Sequence, residues 1–370
     1  MSASYKMIGY IHEIPKVLSQ TLTENEEQVS QIIATAKHRL INRIVLVGVG
    51  SSYTAALIAL PLFRKHCGPA TYLLTPSELQ PYMPELVDKN TLVICISRSG
   101  ERGGVVDALK DAAKLGAFSI AVTGSPDSLL AQNAPESLLT REGSEVTFAK
   151  TKSVATSAGL LMRLALAFAL PEDASATERL QILRSSPALF EEAVNVTEPA
   201  VRNLIPQIQP LKAVMVGGTA SNHGTALEFG IKLQEAANVP VVANDTDNLL
   251  HGPWGSVNPD WLTLLMVTLH DLQLSRKALE LTSRLHGHRM IIRQLDLPTD
   301  GLAEYVITLP KSVDIFCAGL ISLAPIQLLT YYWAIANGLN PDAPEGMQDM
   351  LAAMVPPGRN EPEFRGSRNS

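Results

Sequence analysis

Between residues 43 and 126 the chain repeats one pattern four times: a short run of consecutive apolar residues closed by a turn rich in Gly, Ser, Thr or Pro. The runs are "RIVLVGVG" (43–50), "ATYLLTPSEL" (70–79), "TLVICISRSG" (91–100) and "FSIAVTGSP" (118–126). Helical or turn-rich stretches follow each run, among them "SSYTAALIALPLFRKHCG" (51–68) and "VVDALKDAAKLGA" (105–117). Strands alternating with helices of about 10 to 15 residues predict βαβ units and a parallel sheet. The same order returns further on. "KAVMVGGTAS" (212–221) leads into "NHGTALEFGIKLQEAAN" (222–238), and "VPVVAND" (239–245), "WLTLLMVTLH" (261–270), "HRMIIRQLD" (288–296) and "YVITLP" (305–310) follow. Between the two series lie a helical "ATSAGLLMRLALAFAL" (155–170) and a polar "PEDASATERLQ" (171–181). The pattern predicts a tandem α/β protein of two doubly wound parallel-sheet domains: a first domain over 20–170, a linker over 171–195, a second domain over 196–345, and a tail over 346–370 ending "PPGRNEPEFRGSRNS".

Composition narrows the picture. At 370 residues the chain has room for two domains, and 46% hydrophobic against 18% charged residues excludes wholesale disorder. A net charge of −6 argues against sequence-independent nucleic-acid binding, which needs a basic face, so an anionic ligand must be held by a local site. Cys67, Cys95 and Cys317 are widely spaced, giving neither a disulfide framework nor a zinc pattern, and no clustered metal ligands are present. No cofactor or metal is implied, and a reducing, cytoplasmic compartment is expected. The N-terminus has no long apolar core and no apolar run suggests a membrane span.

Three strand ends carry small and hydroxyl residues: Gly48-Val49-Gly50-Ser51-Ser52, Ser97-Arg98-Ser99-Gly100 and Gly217-Gly218-Thr219-Ala220-Ser221. Helices starting there would aim free N–H groups and a positive dipole end at a ligand, while hydroxyls add neutral donors, a chemistry suited to a phosphate monoester. Gly and Ser are also ordinary turn and cap residues. Two such turns on one sheet carry more weight, because the carboxyl ends of neighbouring parallel strands meet at one crevice. A dinucleotide fold fits poorly: Tyr53 stands where G-x-G-x-x-G needs its third glycine, and no acidic residue closes the second strand. Arg98 and Arg102 flank the serines, as a solvated surface pair or as forks for a phosphate.

For proton transfer the candidates are Glu228, Lys232 and Glu235, spaced i, i+4 and i+7 along one helical face, and His251 in "HGPWG". That spacing equally describes a solvated salt-bridge stripe. A glutamate base with a histidine acid would serve proton transfer next to a carbonyl. His223 is a weaker candidate.

These motifs, in order, resemble the tandem sugar-isomerase (SIS) domain family, most closely the isomerase half of the glucosamine-6-phosphate synthases. "GVGSSY" is similar to the family's G-T-S-Y turn, "SRSGE" to S-Q-S-G-E, "EVTFAKTK" to E-x-x-V-A-S-T-K and "ALEFGIKLQE" to A-L-E-G-A-L-K-L-K-E; "HGP" and "GLNPDAP" follow. The resemblance implies flavodoxin-like three-layer domains and a sugar-phosphate ligand. It puts Ser52, Ser97, Arg98 and Ser99 on phosphate-loop positions, Glu235 on the proton-shuttling glutamate, and His251 on a ring-opening histidine that reaches the neighbouring subunit's site. Lys232 and Glu228 match supporting positions, and a homodimer with shared sites is expected.

The departures matter too. No glutaminase domain or N-terminal cysteine nucleophile precedes these motifs, so glutamine is not expected as ammonia source. The family's tail lysine aligns with Asp349; Arg102 stands at a threonine position, Arg98 at a glutamine and Lys150 at a serine, predicting a more basic substrate site. The expected function is acid–base isomerisation chemistry that deaminates or deglycates an amino-sugar or fructosamine 6-phosphate. The alternatives are an aldose–ketose phosphosugar isomerase and a non-catalytic sugar-phosphate-binding regulator.

Overall fold

Successive side chains of a strand point to opposite faces, so a run of consecutive apolar residues has two faces to bury, and the chain buries them in three core clusters. In the computed structural model, which describes residues 5–101, 103–169, 172–299 and 301–344, two helices come first: α1 (Lys6–Glu24) and α2 (Glu26–His38). Arg102, Asp349 and the expected tail lie outside the described residues. The first half continues with β1 (Arg43–Val47), α3 (Ser51–His66), β2 (Ala70–Leu74), α4 (Pro76–Leu79), α5 (Met83–Leu86), β3 (Thr91–Ile96), α6 (Gly103–Lys114), β4 (Phe118–Thr123), α7 (Leu129–Asn133) and β5 (Glu136–Leu139). Next come α8 (Lys152–Ala167) and a 35-residue α9 (Ala174–Ile208). The second half runs β6 (Ala213–Gly218), α10 (Ser221–Lys232), β7 (Val241–Asp245), α11 (Thr246–Leu249), β8 (Trp261–Val267), α12 (Leu272–Arg284), β9 (His288–Arg293), β10 (Tyr305–Thr308) and α13 (Ala318–Ala336).

Each half holds one parallel five-stranded sheet. The first has the order β2-β1-β3-β4-β5 and the second β7-β6-β8-β9-β10, so the two share one topology. Every apolar run read from the sequence contains a strand; β5, four residues of mixed polarity, is an addition. Residues 174–195, within the expected linker, are helical. Asp173 opens α9, its carboxylate accepting from the N–H groups of Ser175 and Ala176 at 3.0 and 3.1 Å.

Ile44 and Leu46 of β1 point into a core shared with the second half, where they join Phe63, Phe190, Phe229 and Trp333; Val45 and Val47 point into a separate outer core. Met215 and Leu265 begin the matching outer core of the second sheet. Helices α3, α8, α10, α13, α1 and α9 fill the space between the sheets. With a mean hydropathy of 1.3, α13 alone among the described helices is long and apolar enough to cross a membrane; 89% of its apolar window is buried here as the central core helix. All three cysteines are buried and unpaired.

Two contacts lock the halves together. Where α3 and α10 cross, Gly224 has no side chain to hold them apart: a Cβ there would lie 2.5 Å from the Ile58 nitrogen and 2.8 Å from the Thr54 carbonyl oxygen. At the other end of α3, the buried His66 ring meets Asp173 at 2.8 Å through Nδ1, and Arg179 forks the Asp314 carboxylate with two bonds of 3.0 Å. Arg179 also stacks over Phe316.

Gly224→Ala forces two helix backbones apart and is expected to cost about 1–3 kcal/mol. Urea unfolding measures it, and wild-type stability in this variant would contradict the crossing. The Asp173 carboxyl is held well below its ordinary range, first by the Ser175 hydroxyl, then by His66 and the Ala176 N–H. A depressed carboxyl stabilises the fold above its unfolded value, and that contribution is lost as pH falls through the folded value. Asp173→Asn should therefore lower stability near neutral pH, with the gap to wild type closing as pH drops below 3.8. A gap that stays constant with pH would rule this out.

Candidate active site

The strand order of the first sheet reverses between β1 and β3, and a crevice opens outside the strands' carboxyl ends at such a point. Val47 sits opposite Cys95 in the register, so the turns after β1 and β3 lie side by side. The β1 turn reaches α3 through Gly50, whose φ of 53° suits a residue without Cβ. Ser52 is half-buried in the first turn of α3. In the neighbouring turn the Ser97 hydroxyl accepts from the Gly100 N–H at 3.2 Å and the Ser99 hydroxyl from the Glu101 N–H at 3.4 Å. Three of the predicted phosphate-loop serines are thus gathered at one end of one sheet.

The same end is joined to the second half by a charged cluster in α10. Glu228 is fully buried; the hydroxyl of Ser51 donates to it at 3.1 Å and that of Thr54 bonds its other oxygen. Lys232, 1% exposed, lies 3.5 Å from Glu228 and bonds Glu235. The surface-stripe reading of this spacing is therefore wrong for Glu228 and Lys232. Glu235, its side chain 24% exposed, is the member that opens to solvent. It sits in a π-helical turn, Leu233–Ala237, which ends at Asn238 in the left-handed region. Such widened turns often mark functional positions. Burial pushes the Glu228 carboxyl upward, with Lys232 and the Thr54 hydroxyl pulling the other way. Burial works to lower the Lys232 ammonium, yet Glu235 and Glu228 carry it above its ordinary value, so it stays charged.

The expectation of a more basic loop needs revision. The Arg98 Nε lies 3.4 Å from the buried carboxylate of Glu142, so its charge is compensated within the chain. Burial raises the Glu142 carboxyl, against the Thr140 hydroxyl and Arg98. Lys150 donates to the carbonyls of Glu145 and Thr147, both at 2.8 Å. Arg102 lies outside the described residues. His251 is exposed in the loop after α11, where its backbone N–H donates to the Asn248 carbonyl at 3.2 Å. His223 is half-buried on α10, and burial lowers its pKa against the pull of Asp245.

Four contributors escaped the sequence reading. Ser51 and Thr54 tie the first half to Glu228, and Glu142 neutralises Arg98. Fully buried Glu145 caps α8, accepting from the N–H groups of Thr151 and Lys152 at 2.7 Å and from the hydroxyls of Thr151 and Ser153. Burial works to raise its carboxyl, but Lys150 and those donors hold it below its usual value. The signal for the cap was the acidic residue that opens "EVTFAKTK", followed by hydroxyls at the start of an apolar helix.

A cleft of about 430 Å³ lies at the seam between the halves, lined by Val49, Tyr53, Thr54, Glu78 and Ile231 among others. It borders the site through Gly50 and Thr54, and none of the predicted site residues lines it.

The second half repeats the turn with different contents. Ala220 has φ 50° and ψ −120°, nearly the values at Gly50. The crevice beside it holds Asp271, 4% exposed, whose carboxylate accepts from the Thr268 N–H and hydroxyl, both at 2.7 Å, and from the Thr219 hydroxyl.

Comparison with known proteins agrees with this construction. Residues 39–167 match the SIS domain family. The chain is 30% identical over 353 residues to the glutamine–fructose-6-phosphate aminotransferase (isomerizing) of Clostridium tetani, covering 92% of this chain and 58% of that protein. It therefore spans less than two thirds of that relative's length. Among solved structures it is similar to the C-terminal domain of glucosamine-fructose-6-phosphate aminotransferase from Francisella tularensis, with a TM-score of 0.83, 20% identity, and 93% and 99% of the two chains covered. Glucosamine-6-phosphate deaminase from Thermotoga maritima gives 0.75 at 21% identity, covering 92% and 98%. At such identities these two structures establish the fold alone. Residues 39–167 thus form a SIS domain, a second sheet of the same strand order follows them, and the chain is similar to the part of those aminotransferases that it covers.

Proposed function

We propose that the chain is a phosphosugar-processing enzyme that deaminates or deglycates an amino-sugar or fructosamine 6-phosphate by proton transfer next to a carbonyl. The observation that carries this reading is the position of Glu235. It is the one solvent-open carboxylate of an otherwise buried Glu228–Lys232–Glu235 cluster, and that cluster is hydrogen-bonded to the hydroxyl-rich turn of the first half.

In this reading the phosphate takes N–H groups at the start of α3 and the hydroxyls of Ser52, Ser97 and Ser99. The open-chain sugar then extends toward α10. Glu235 moves a proton from the carbon that bears the amine to the neighbouring carbonyl carbon, while the amine's N–H proton passes to the carbonyl oxygen, leaving a hydroxyl beside a C=N bond. Water adds to that bond, the C–N bond breaks, and the amine leaves with the proton it needs. Lys232 bonds the Glu235 carboxylate and holds it in place for its role as a base. Glu228 anchors Lys232 through the Ser51 and Thr54 hydroxyls. His251, exposed on its loop, is assigned to opening the sugar ring in the site of a second copy of the chain, which makes a homodimer the working form. Arg98 and Lys150, held by Glu142 and by backbone carbonyls, shape the loop around the ligand. Neutral hydroxyls and N–H groups then do most of the recognition.

A panel of hexose and amino-hexose 6-phosphates, assayed for released ammonia or amine and for aldose–ketose interconversion, tests the reaction. Release without a requirement for glutamine supports the proposal; interconversion with no amine released would reassign the chain as a simple isomerase. Glu235→Gln should abolish turnover while leaving sugar-phosphate affinity within about 1 kcal/mol, since a base contributes mainly in the transition state. Full activity in that variant would remove Glu235 from the mechanism. Ser52→Ala or Ser99→Ala should instead weaken sugar-phosphate binding by about 1–3 kcal/mol, the loss of a hydrogen bond to a charged group. A fall in kcat with affinity intact would show that the serines act elsewhere.

A further inference from the structure

Helix α8 is buried at every position from Lys152 to Leu166 but one. The exception is Arg163, half-buried three turns along from Lys152, about 16 Å away from the site end of the helix. It opens into a cavity of about 260 Å³ formed with Ser19, Leu22, Glu26, Leu183 and Arg184. Charge in this cavity is unbalanced. The one acidic lining residue, Glu26, lies 3.8 Å from Arg184, and both of those side chains are more than half exposed. The Arg163 side chain makes no hydrogen bond or ion pair among the described residues.

A guanidinium taken partly out of water without a partner loses solvation that nothing returns, and folded proteins pair such groups. Burial lowers the Arg163 pKa; Glu26 opposes the shift and Arg184 adds to it. Two cations against one carboxylate leave room for one further negative charge. Beside the guanidinium, Leu22, Leu183 and Pro187 offer an apolar wall.

We propose that this cleft is a second ligand site, separate from the sugar-phosphate crevice, which takes a small organic oxyanion: its charged head forked by Arg163 and its short apolar body against Leu22, Leu183 and Pro187. The fork geometry of arginine suits carboxylate and phosphate heads alike. The site is independent of the proposed reaction, because neither Arg163 nor Arg184 belongs to the Glu235 cluster or the serine turns.

The test titrates wild type, Arg163→Met and Ser99→Ala with butyrate and, separately, with inorganic phosphate up to about 50 mM, following thermal unfolding. Methionine keeps much of the buried volume and removes the charge. Stabilisation of wild type and Ser99→Ala by either probe, with affinity at least about tenfold weaker in Arg163→Met, supports the site and identifies the head group. Without added anion, Arg163→Met should melt no lower than wild type, because an uncompensated cation has been removed from a half-buried place. No stabilisation of wild type by either probe, or stabilisation that survives undiminished in Arg163→Met, overturns the proposal. Should Arg163→Met fail to fold, Arg184→Met carries the same comparison through the second prong of the cleft.

Discussion

The arrangement of the site depends on one buried cation. Lys232 sits almost without solvent between Glu228 and Glu235. An ammonium at that depth is tolerable only with carboxylates against it, and a carboxylate as deep as Glu228 only with a cation and donors around it. The donors come from the other half of the chain, from Ser51 and Thr54 in the first turn of α3. The electrostatics of α10 and the docking of the two halves are therefore one requirement. Gly224 belongs to it as well, because the hydroxyls reach Glu228 only when α3 and α10 cross backbone to backbone.

Charge around the serine turns follows the same logic of internal pairing. Arg98 is turned to Glu142, and Lys150 to carbonyls of its own loop. Glu145 sits under the N-terminus of α8, where, against burial, Lys150 and several donors hold its carboxyl below its usual value. In the proposed reading the described residues of the crevice then offer an incoming anion oriented neutral donors. That arrangement suits a chain with a net charge of −6, which cannot attract anions at long range and must recognise them at contact.

Much of this was legible in the residues. Consecutive apolar runs closed by Gly and Ser marked nine of the ten strands among the described residues, and the turn motifs fall at the carboxyl ends of β1, β3 and β6. The missing strand, "ESLL" in β5, is short, sits at a sheet edge and has no apolar run to announce it. The burial of Glu228 and Lys232 was harder to see, because their spacing is also that of an exposed ion-pair stripe. A clue lay in their neighbours: Leu227, Phe229, Ile231 and Leu233 make the helix apolar on its other faces, and a helix apolar all round is buried. The Arg98–Glu142 pair joins residues 44 positions apart through a turn whose path no local pattern dictates. Nothing short of the fold could show that the arginine's charge is already balanced.

The two halves share a topology yet differ in what their crevices hold, and the difference lies in side chains. In the first half the turn conformation falls on Gly50 and the space beside it is flanked by hydroxyls. In the second half nearly the same conformation falls on Ala220, where a Cβ makes it strained. The Asp271 carboxylate accepts from Thr268 and Thr219, so this crevice is occupied by a side chain of the protein itself. Asp271 precedes α12 yet makes no side-chain capping bond to it, so the carboxylate is committed to the crevice and not to its own helix. Above it, Ser221 bonds the Ile315 carbonyl and the Gly319 N–H, closing the turn under the start of α13. The second half's own side chains take up the hydrogen bonds of this crevice. Its helix α10 and the π-helical turn after it place Lys232 and Glu235 beside Glu228, which the first half's Ser51 and Thr54 bond.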